Sequence, residues 1–266
     1  MRSSQAVRIG IVVISLGLSV VARASGDVAA GKAHSLACLA CHGADPTSEL
    51  PRLAGQRERY LGKQLLAFKS GDRKSRAMNA IIAQLSETEI ANLAAYWSGQ
   101  KVGSDTTVSP EVAAIRASKM TFPRGFPAGF VQFAITNKPD RHVVTRAYVN
   151  PVALEAAKLG RPLPDGSAIV LENYAPKLDR DGKPIADRDG TWVPDKLVYY
   201  EGMEARAGWG DAIPALLRNA NWSYAVFTPD KAPREINQAT CLSCHKTAAT
   251  GFVFDWKKIQ AKASAR

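Results

Sequence analysis

The sequence is poor in the side chains that hold small, stapled folds together. Its 266 residues include only 4 Cys, 4 His and 4 Met. So few cysteines in so long a chain exclude a small scaffold held by disulfides. Hydrophobic side chains make up 46% of the chain and charged ones 22%, which excludes a disordered or collagen-like protein. The composition predicts one or two globular domains, in which the cysteines have a role other than cross-linking a small fold.

Long apolar runs are missing beyond the N-terminus. The run from Ile9 to Val21 has 13 residues, follows Arg2 and Arg8, and precedes Ala22-Arg23-Ala24. It is shorter than the roughly 20 residues that a membrane-spanning helix needs. A basic start, a short apolar run and small residues are typical of a secretory signal peptide. We expect residues 1–24 to be cleaved, the mature chain to be periplasmic, and no membrane span to remain; an uncleaved anchor is the alternative.

The charge is basic but not concentrated. Residues 1–24 hold three of the 35 basic side chains, which leaves 32 against 24 acidic ones and a net charge of +8 in the mature chain. No dense lysine and arginine stripe alternates with aromatic residues, so we expect no nucleic-acid partner. The surplus is expected to serve solubility and steering toward partners with an acidic face.

The four cysteines fall into two copies of one pattern, each with a histidine directly after the second cysteine. The copies are Cys38-Leu-Ala-Cys41-His42 and Cys241-Leu-Ser-Cys244-His245. This spacing is the signature of covalent haem attachment, in which two thiols add to the vinyl groups and the histidine binds iron. The sequence therefore predicts two covalently attached c-type haems.

Zinc binding, thiol redox chemistry and disulfides compete with haem as roles for these cysteines. Cysteine pairs that share one zinc lie about 15 to 20 residues apart, whereas Cys41 and Cys241 are 200 positions apart. A redox-active pair is expected at a strand-to-helix junction in a βαβ unit, which is not the surrounding pattern. Two structural disulfides remain an alternative. Because only 21 residues follow His245, the second haem must be surrounded by sequence that precedes it.

Residues 25–100 have a helical pattern. We predict one helix from Val28 to Ala37, a second that stops at Gly71, and a third that opens with Ser86 and Glu89 in a capping box. Met78 lies in a predicted loop before the third helix. Its thioether is a soft ligand that raises the reduction potential of a haem, so we predict it as the sixth ligand of the first iron; core packing is the alternative.

Motifs along residues 25–100 carry a specific resemblance. They are Gly26-Asp27, Ala30-Gly31-Lys32, the first C-x-x-C-H-G, Pro51-Arg52-Leu53-Ala54-Gly55-Gln56, Phe68-Lys69-Ser70-Gly71, Met78 and Ala95-Tyr96-Trp97. This segment resembles a class I cytochrome c of the c4/c5 type. The resemblance implies that His42 and Met78 are axial ligands and that Pro51 orients His42. The Asp45-Pro46-Thr47 stretch departs from the family and is expected to alter a loop only.

Residues 101–110 are predicted as a linker, and residues 111–266 as a second domain. A short helix is expected from Glu111 to Met120 and another from Pro151 to Leu159. Five period-two stretches are expected as strands: Phe130 to Thr136, Val143 to Val149, Ser167 to Tyr174, Lys196 to Ala205, and Trp222 to Thr228. The predicted fold is an all-α domain followed by an α+β domain whose antiparallel sheet holds the second haem.

Two acidic sequences in this domain, Asp179 to Gly182 and Asp187 to Gly190, are predicted as tight turns, because the terminal glutamate of a calcium loop is missing.

The far side of the second haem has no persuasive ligand. His142 follows a predicted loop, and Met203 lies in a predicted strand, where packing is the more ordinary role. We therefore expect an open or water-bound position, and open iron binds diatomics, peroxide or hydroxylamine.

Landmarks of the second domain carry a further resemblance. They are Tyr148-Val149-Asn150-Pro151, Pro164-Asp165-Gly166-Ser167, Tyr199-Tyr200-Glu201-Gly202, Trp209-Gly210 and the terminal motif followed by Phe252-Val253-Phe254. The segment from about 120 to 258 resembles the cytochrome P-460 and cytochrome c′-beta group. The resemblance implies a five-coordinate haem with His245 proximal, and either hydroxylamine and nitric oxide conversion or nitric oxide binding. Glu201 is a candidate distal acid, or an ordinary strand-end carboxylate.

Members of this group differ in whether a lysine is cross-linked to the haem. The candidates are Lys158 at the end of a predicted helix, Lys177 in a predicted hairpin extension and Lys196 at the start of a predicted strand. None of these positions is well placed for a cross-link, so an uncross-linked haem is favoured. Lys158 is the first alternative. Aromatic side chains that could cap the haem instead are Phe126, Phe130 and Phe133, for which core packing is the alternative.

The sequence thus predicts an exported dihaem cytochrome. An electron-transfer module passes electrons to or from a haem that binds or converts a small nitrogen or oxygen species. Another redox protein, with an acidic face, is the expected partner. The alternative is a non-catalytic electron carrier or a nitric oxide sensor.

Overall fold

The computed structural model describes residues 26–43, 50–103 and 108–265. The predicted signal peptide and the Asp45-Pro46-Thr47 departure lie outside the described residues, as do residues 104–107 of the predicted linker. Within the described ranges, no helix has the length and apolar character needed to cross a membrane.

Four helices form the N-terminal part: α1 (Val28–His42), α2 (Glu58–Ser70), α3 (Arg76–Ile82) and α4 (Glu87–Ser98). The Asp27 carboxylate caps α1, and the predicted capping box of Ser86 and Glu89 is confirmed at the start of α4. Helices α1 and α4 pack closely at Gly31, where a Cβ atom would lie 2.1 Å from the Asn92 carbonyl oxygen. The glycine therefore allows the two helices to touch.

Two predictions about this part were wrong. Helix α1 does not stop at Ala37 but continues to His42, so the whole first cysteine motif is helical. Met78 lies in α3 and not in a loop. The reason is local capping: the Ser75 hydroxyl accepts a hydrogen bond from the Met78 amide, and the Asn79 side-chain oxygen accepts one from the Ser75 amide at 2.7 Å. These bonds support a helix too short to show hydrophobic periodicity.

The remaining chain is the predicted α+β domain. Its elements are α5 (Pro110–Arg116), β1 (Val131–Lys138), β2 (Val143–Val149), α6 (Pro151–Lys158), β3 (Ala168–Pro176), β4 (Pro194–Ala205), β5 (Trp222–Phe227), α7 (Gln238–His245) and α8 (Trp256–Ser264). The strands pair antiparallel in the order β1-β2-β3-β4-β5, which confirms the predicted sheet. The helix predicted over 111–120 ends at Arg116, and α8 was not predicted.

The two faces of the sheet pack into two different clusters. Ile169, Met203 and Tyr224 pair across neighbouring strands and belong to a large cluster that also contains residues of α1, α4, α7 and α8. Because side chains alternate along a strand, Val170 and Phe227 face the other way, into a smaller aromatic cluster. The large cluster is continuous from the helical part into the sheet, so the two parts share a core.

The two acidic turns are confirmed. The Asp179 carboxylate accepts hydrogen bonds from the amides of Asp181 and Lys183, both at 2.9 Å. The Asp187 carboxylate repeats this arrangement with Asp189 and Thr191. These carboxylates are occupied by their own turns, as an Asx-type turn requires.

Candidate functional site

The first cysteine motif presents a histidine with a defined orientation. His42 ends α1, and its Nδ1 atom lies 2.8 Å from the carbonyl oxygen of Pro51. A carbonyl only accepts, so Nδ1 donates, and Nε2 keeps a lone pair for a metal. Burial lowers the pKa of His42, which favours the neutral, ligating form. The orientation of His42 by Pro51 agrees with the resemblance of this segment to class I cytochromes c.

A cavity of about 350 Å³ opens beside His42. Cys38, Cys41, Met78 and Trp97 all line it, so the sequence-predicted residues of the first site come together. Within the part of the chain that the structure describes, the indole Nε1 of Trp97 is buried beside the Cys38 thiol and has no oxygen or nitrogen acceptor. A buried donor that lacks an acceptor is costly, and a cofactor carboxylate would supply one. The residues present therefore fit a haem.

Met78 is held in place through its neighbour. The Asn79 amide donates to the Arg73 carbonyl at 3.0 Å and to the Phe68 carbonyl at the end of α2. These bonds fasten α3 to the segment before it, so the Met78 thioether belongs to an anchored helix. Asn79 was missed in the sequence, although an Asn next to the candidate ligand was a visible signal.

The cysteines are unpaired in this structure. All four thiols are free and partly buried. Burial raises the pKa of Cys38 to about 12, and burial followed by the charge of Glu201 raises that of Cys241 to about 11. Among the described residues, no group of three His, Cys, Asp or Glu side chains forms a metal site, so nothing in these ranges supports a shared zinc.

The second motif repeats the histidine arrangement of the first. His245 ends α7, and its Nδ1 atom lies 2.8 Å from the Phe252 carbonyl oxygen. Burial lowers the pKa of His245 as well. The ring packs between two aromatic side chains, with centroids 4.6 Å from Tyr224 and 4.9 Å from Phe254. Neutral imidazole, fixed Nδ1 and available Nε2 are what an iron ligand requires.

The hydroxyl of Tyr224 is connected to α7 through the side chain of Asn219. The Asn219 side-chain amide donates to the Tyr224 hydroxyl at 3.1 Å and to the Leu242 carbonyl at 2.9 Å. Burial raises the pKa of Tyr224, so the phenol stays neutral. Neither Tyr224 nor Asn219 was singled out from the sequence, because their role depends on contacts between distant segments.

Glu201 lies inside β4 and not at a strand end. The Arg141 guanidinium donates to its Oε1 atom at 2.8 Å, and the Asn173 amide lies 3.3 Å from Oε2. The buried Thr145 hydroxyl donates in turn to the Asn173 side-chain oxygen at 2.7 Å. Glu201 shares the sheet face of Met203 and Tyr224, which places it on the His245 side.

Other sequence candidates lie elsewhere. His142 is exposed and Met203 is a buried core residue, in agreement with the expectations for both. Phe126 and Phe130 contact each other in the smaller cluster, on the sheet face opposite Glu201, so they do not line the second site. Phe133 packs against the large cluster. The three candidate lysines, Lys158, Lys177 and Lys196, are exposed.

Comparisons with known proteins agree with this architecture. Residues 123–255, half of the chain, match the family model described as cytochrome P460. The chain belongs to the cytochrome P460 family. Residues 28–100 of this P460 family member match the cytochrome c family model. The matched regions thus place a cytochrome c domain before a P460 domain, and both families are haem-binding.

Relatives of the N-terminal part include cytochromes. Cytochrome c4 of Pseudomonas aeruginosa is 46% identical over 92 residues, which are 34% of this P460 family member and 46% of the relative. The thiosulfate dehydrogenase electron acceptor of Thiomonas intermedia is 35% identical over 101 residues, 36% of this chain and 46% of its own. Cytochrome c-554(548) of Halomonas halodenitrificans is 40% identical over 83 residues, 29% of this chain and all of the relative. The chain spans about half the length of the first two.

Proposed function

We propose that the chain is an exported cytochrome with two covalent c-type haems. The N-terminal haem exchanges electrons with a C-terminal haem at which small nitrogen oxides, hydroxylamine or peroxide bind or react. One observation carries this proposal: His42 and His245 each follow a free cysteine pair and each have Nδ1 fixed by a carbonyl at 2.8 Å. Because the two histidines have the same arrangement, they support covalent haem attachment at both cysteine motifs.

At the first site, Cys38 and Cys41 would hold the haem covalently, and His42 and Met78 would bind its iron. The anchoring of α3 through Asn79 supports the Met78 assignment. A thioether ligand favours the ferrous state, which suits a module that carries electrons at a relatively high potential.

At the second site, Cys241, Cys244 and His245 would hold the haem. Bound there, it would supply iron with an open coordination position for a small ligand. The exposure of His142 and the core position of Met203 support an open position, because solvent contact and packing account for these two side chains.

Glu201 is the residue we assign to proton transfer at the second site. Arg141 pairs with Oε1 of the carboxylate, while among the described residues the contact of Oε2 is the longer one with Asn173. Oε2 is therefore the atom that accepts and returns a proton. The Thr145 to Asn173 bond holds the amide in place, which fixes Glu201 against the sheet.

The external partner is a redox protein with an acidic face. The first cavity is lined by Arg52, Arg73 and Lys74, which supply positive charge at its rim. One relative is an electron acceptor by name, which supports the same role for the N-terminal module. Periplasmic localisation follows from the predicted signal peptide.

Anaerobic addition of hydroxylamine to the fully oxidised protein tests turnover. Electrons released by its oxidation reduce the first haem, and the absorption of that haem reports their arrival. The substitution Glu201→Gln should slow the reduction of the first haem about 100-fold or more, as expected for loss of a proton-transferring group. Glu155→Gln, on the exposed surface of α6, is the matched control and should leave the rate unchanged.

A different result would favour the sensing function. If hydroxylamine or nitric oxide changes the spectrum of the second haem while the first haem stays oxidised, the protein binds these ligands without turning them over.

A further inference from the structure

The side chain of Asn237 joins the two helices that carry the cysteine motifs. Asn237 precedes α7, and its Oδ1 atom accepts a hydrogen bond from the Ala239 amide at 3.0 Å, which caps that helix. Its Nδ2 atom donates to the Ala40 carbonyl at 2.7 Å. Ala40 lies between Cys38 and Cys41 in α1. Asn237 therefore bonds to the backbone of both cysteine-bearing helices.

A second donor reinforces the same contact. The Arg116 guanidinium of α5 donates through Nε to the Ala40 carbonyl at 2.9 Å and through Nη2 to the Leu39 carbonyl at 3.3 Å. These carbonyls belong to the last turns of α1, where cations are stabilising. Around them, Ala40 and Leu242 are fully buried in the shared core. The contact is both apolar and hydrogen-bonded.

Helix α7 also forms part of the first cavity. Thr240 and Ser243, which directly precede Cys241 and Cys244, line the same cavity as Met78 and His42. Helix α3, which carries Met78, packs against α7. The helix that holds the second attachment motif is thus a wall of the first site.

We propose that the α1–α7 contact is a built-in electron junction and that Asn237 is its positioning residue. The proposal rests on the proposed function, because it needs a haem on each motif. One electron leaves ferrous iron at one site as ferric iron at the other gains it, with no bond made and no proton moved. Electron tunnelling falls off exponentially with distance, so a fixed contact between the two helices makes direct exchange faster than exchange between colliding molecules.

The junction also restricts where an external partner docks. Because α7 covers one side of the first cavity, a redox partner has to approach from another side. The exposed basic side chains Arg52, Arg73 and Lys74 also line the cavity and provide a surface for that approach.

The test uses the full-length holoprotein and the substitution Asn237→Ser. Serine caps a helix as well as asparagine but is too short to reach Ala40. Gln84→Ala is the matched control, because the Gln84 side chain donates to the Leu216 carbonyl at 3.2 Å and so joins the two parts away from α1 and α7. Thermal unfolding and the haem content verify that each variant is folded and loaded.

The first readout is electron exchange after one haem is reduced by a short pulse. In the parent protein we expect a first-order rate that does not depend on protein concentration. Asn237→Ser should lower it severalfold, because loss of the bond to Ala40 loosens the contact that sets the tunnelling distance. The second readout is hydrogen exchange of the amides near Ala40 and Cys241, which should quicken in Asn237→Ser alone.

Two results would overturn the proposal: a rate in the parent protein that rises with concentration, or equal rates in Asn237→Ser and Gln84→Ala. A chain with fewer than two haems would instead contradict the proposed function, and the haem content of the same samples separates the two failures.

Discussion

The carbonyl oxygen of Phe252 accepts a hydrogen bond from Nδ1 of His245 at 2.8 Å, and Phe252 adopts a left-handed backbone conformation to present it. Its φ is 64°, in a region that costs a residue with a side chain about 1–2 kcal/mol. Gly251 before it also has a positive φ. The strained turn therefore holds the carbonyl that orients the candidate iron ligand.

Two substitutions at Phe252 separate backbone from side chain. Phe252→Gly keeps the left-handed conformation without strain, so the carbonyl should stay on His245. Phe252→Pro cannot, because proline fixes φ near about −65°. We expect the iron–histidine vibration of the reduced second haem, measured by resonance Raman, to be preserved in the glycine variant and shifted in the proline variant. Equal spectra would show that the carbonyl does not control His245.

Met78→Ala tests the first axial ligand. It should abolish the low-spin, methionine-ligated spectrum of the first haem and lower its reduction potential, with carbon monoxide binding at the second haem intact. Met203→Ala is the matched control. Met203 is buried in the sheet core, so its loss should cost roughly 2–5 kcal/mol of unfolding free energy and leave the first spectrum unchanged. An unchanged spectrum in Met78→Ala would show that Met78 is a core residue and not an iron ligand.

Tyr148 lies on the sheet face opposite the second site, and its hydrogen bond there makes a prediction about stability at alkaline pH. Its hydroxyl donates to the buried Glu172 carboxylate at 2.9 Å, as does that of Tyr174 at 3.0 Å. Burial and then this bond raise the pKa of Tyr148 to about 12, above the ordinary value of 10.0. The folded state therefore holds the proton more tightly, and its stability falls as pH rises from about 10 to 12.

Tyr148→Phe should lower the free energy of unfolding at neutral pH by about 1 kcal/mol. It should also make the alkaline loss of stability shallower, because the titrating phenol is gone. Denaturant unfolding at neutral pH and near pH 11 measures both effects. Tyr60→Phe, at a half-exposed position, is the control. Parallel alkaline losses in parent and Tyr148→Phe would contradict the assignment.

Strand periodicity predicted the sheet well. Each of the five strands was found within two residues of its ends, because runs rich in aromatic and β-branched residues mark the strands in the sequence. Short helix α3 was missed because capping by Ser75 and Asn79, not periodicity, produces it. Helix α1 was drawn too short because cysteine and histidine have modest helix propensity, which packing in the shared core overrides.

The cysteine motifs and Met78 were visible in the sequence because haem attachment requires a local spacing. The supporting contacts were not. Asn237 and Ala40 are separated by 197 positions, and Glu201 meets Arg141 across 60. Asn237 did have a local signal, an Asn before a helix, but an N-cap says nothing of a second partner. Contacts of this kind follow from the tertiary fold.

Tandem mass spectrometry of haem peptides tests for a lysine cross-link. Lys158, Lys177 and Lys196 are exposed, so we expect the haem peptide with Cys241 and Cys244 to carry no lysine-bearing fragment. A cross-linked peptide, with Lys158 the first to be sought, would reverse this expectation and make hydroxylamine oxidation the leading function.

The central claim is that one chain carries two haems with different coordination. Absorption spectra of the oxidised and reduced protein, with and without carbon monoxide, test it most directly when combined with the haem content per chain. We expect two haems, of which one responds to carbon monoxide, and a Cys241→Ala, Cys244→Ala variant with one haem that does not respond. A parent protein with a single haem, with bound zinc, or with two haems that both bind carbon monoxide would contradict the account.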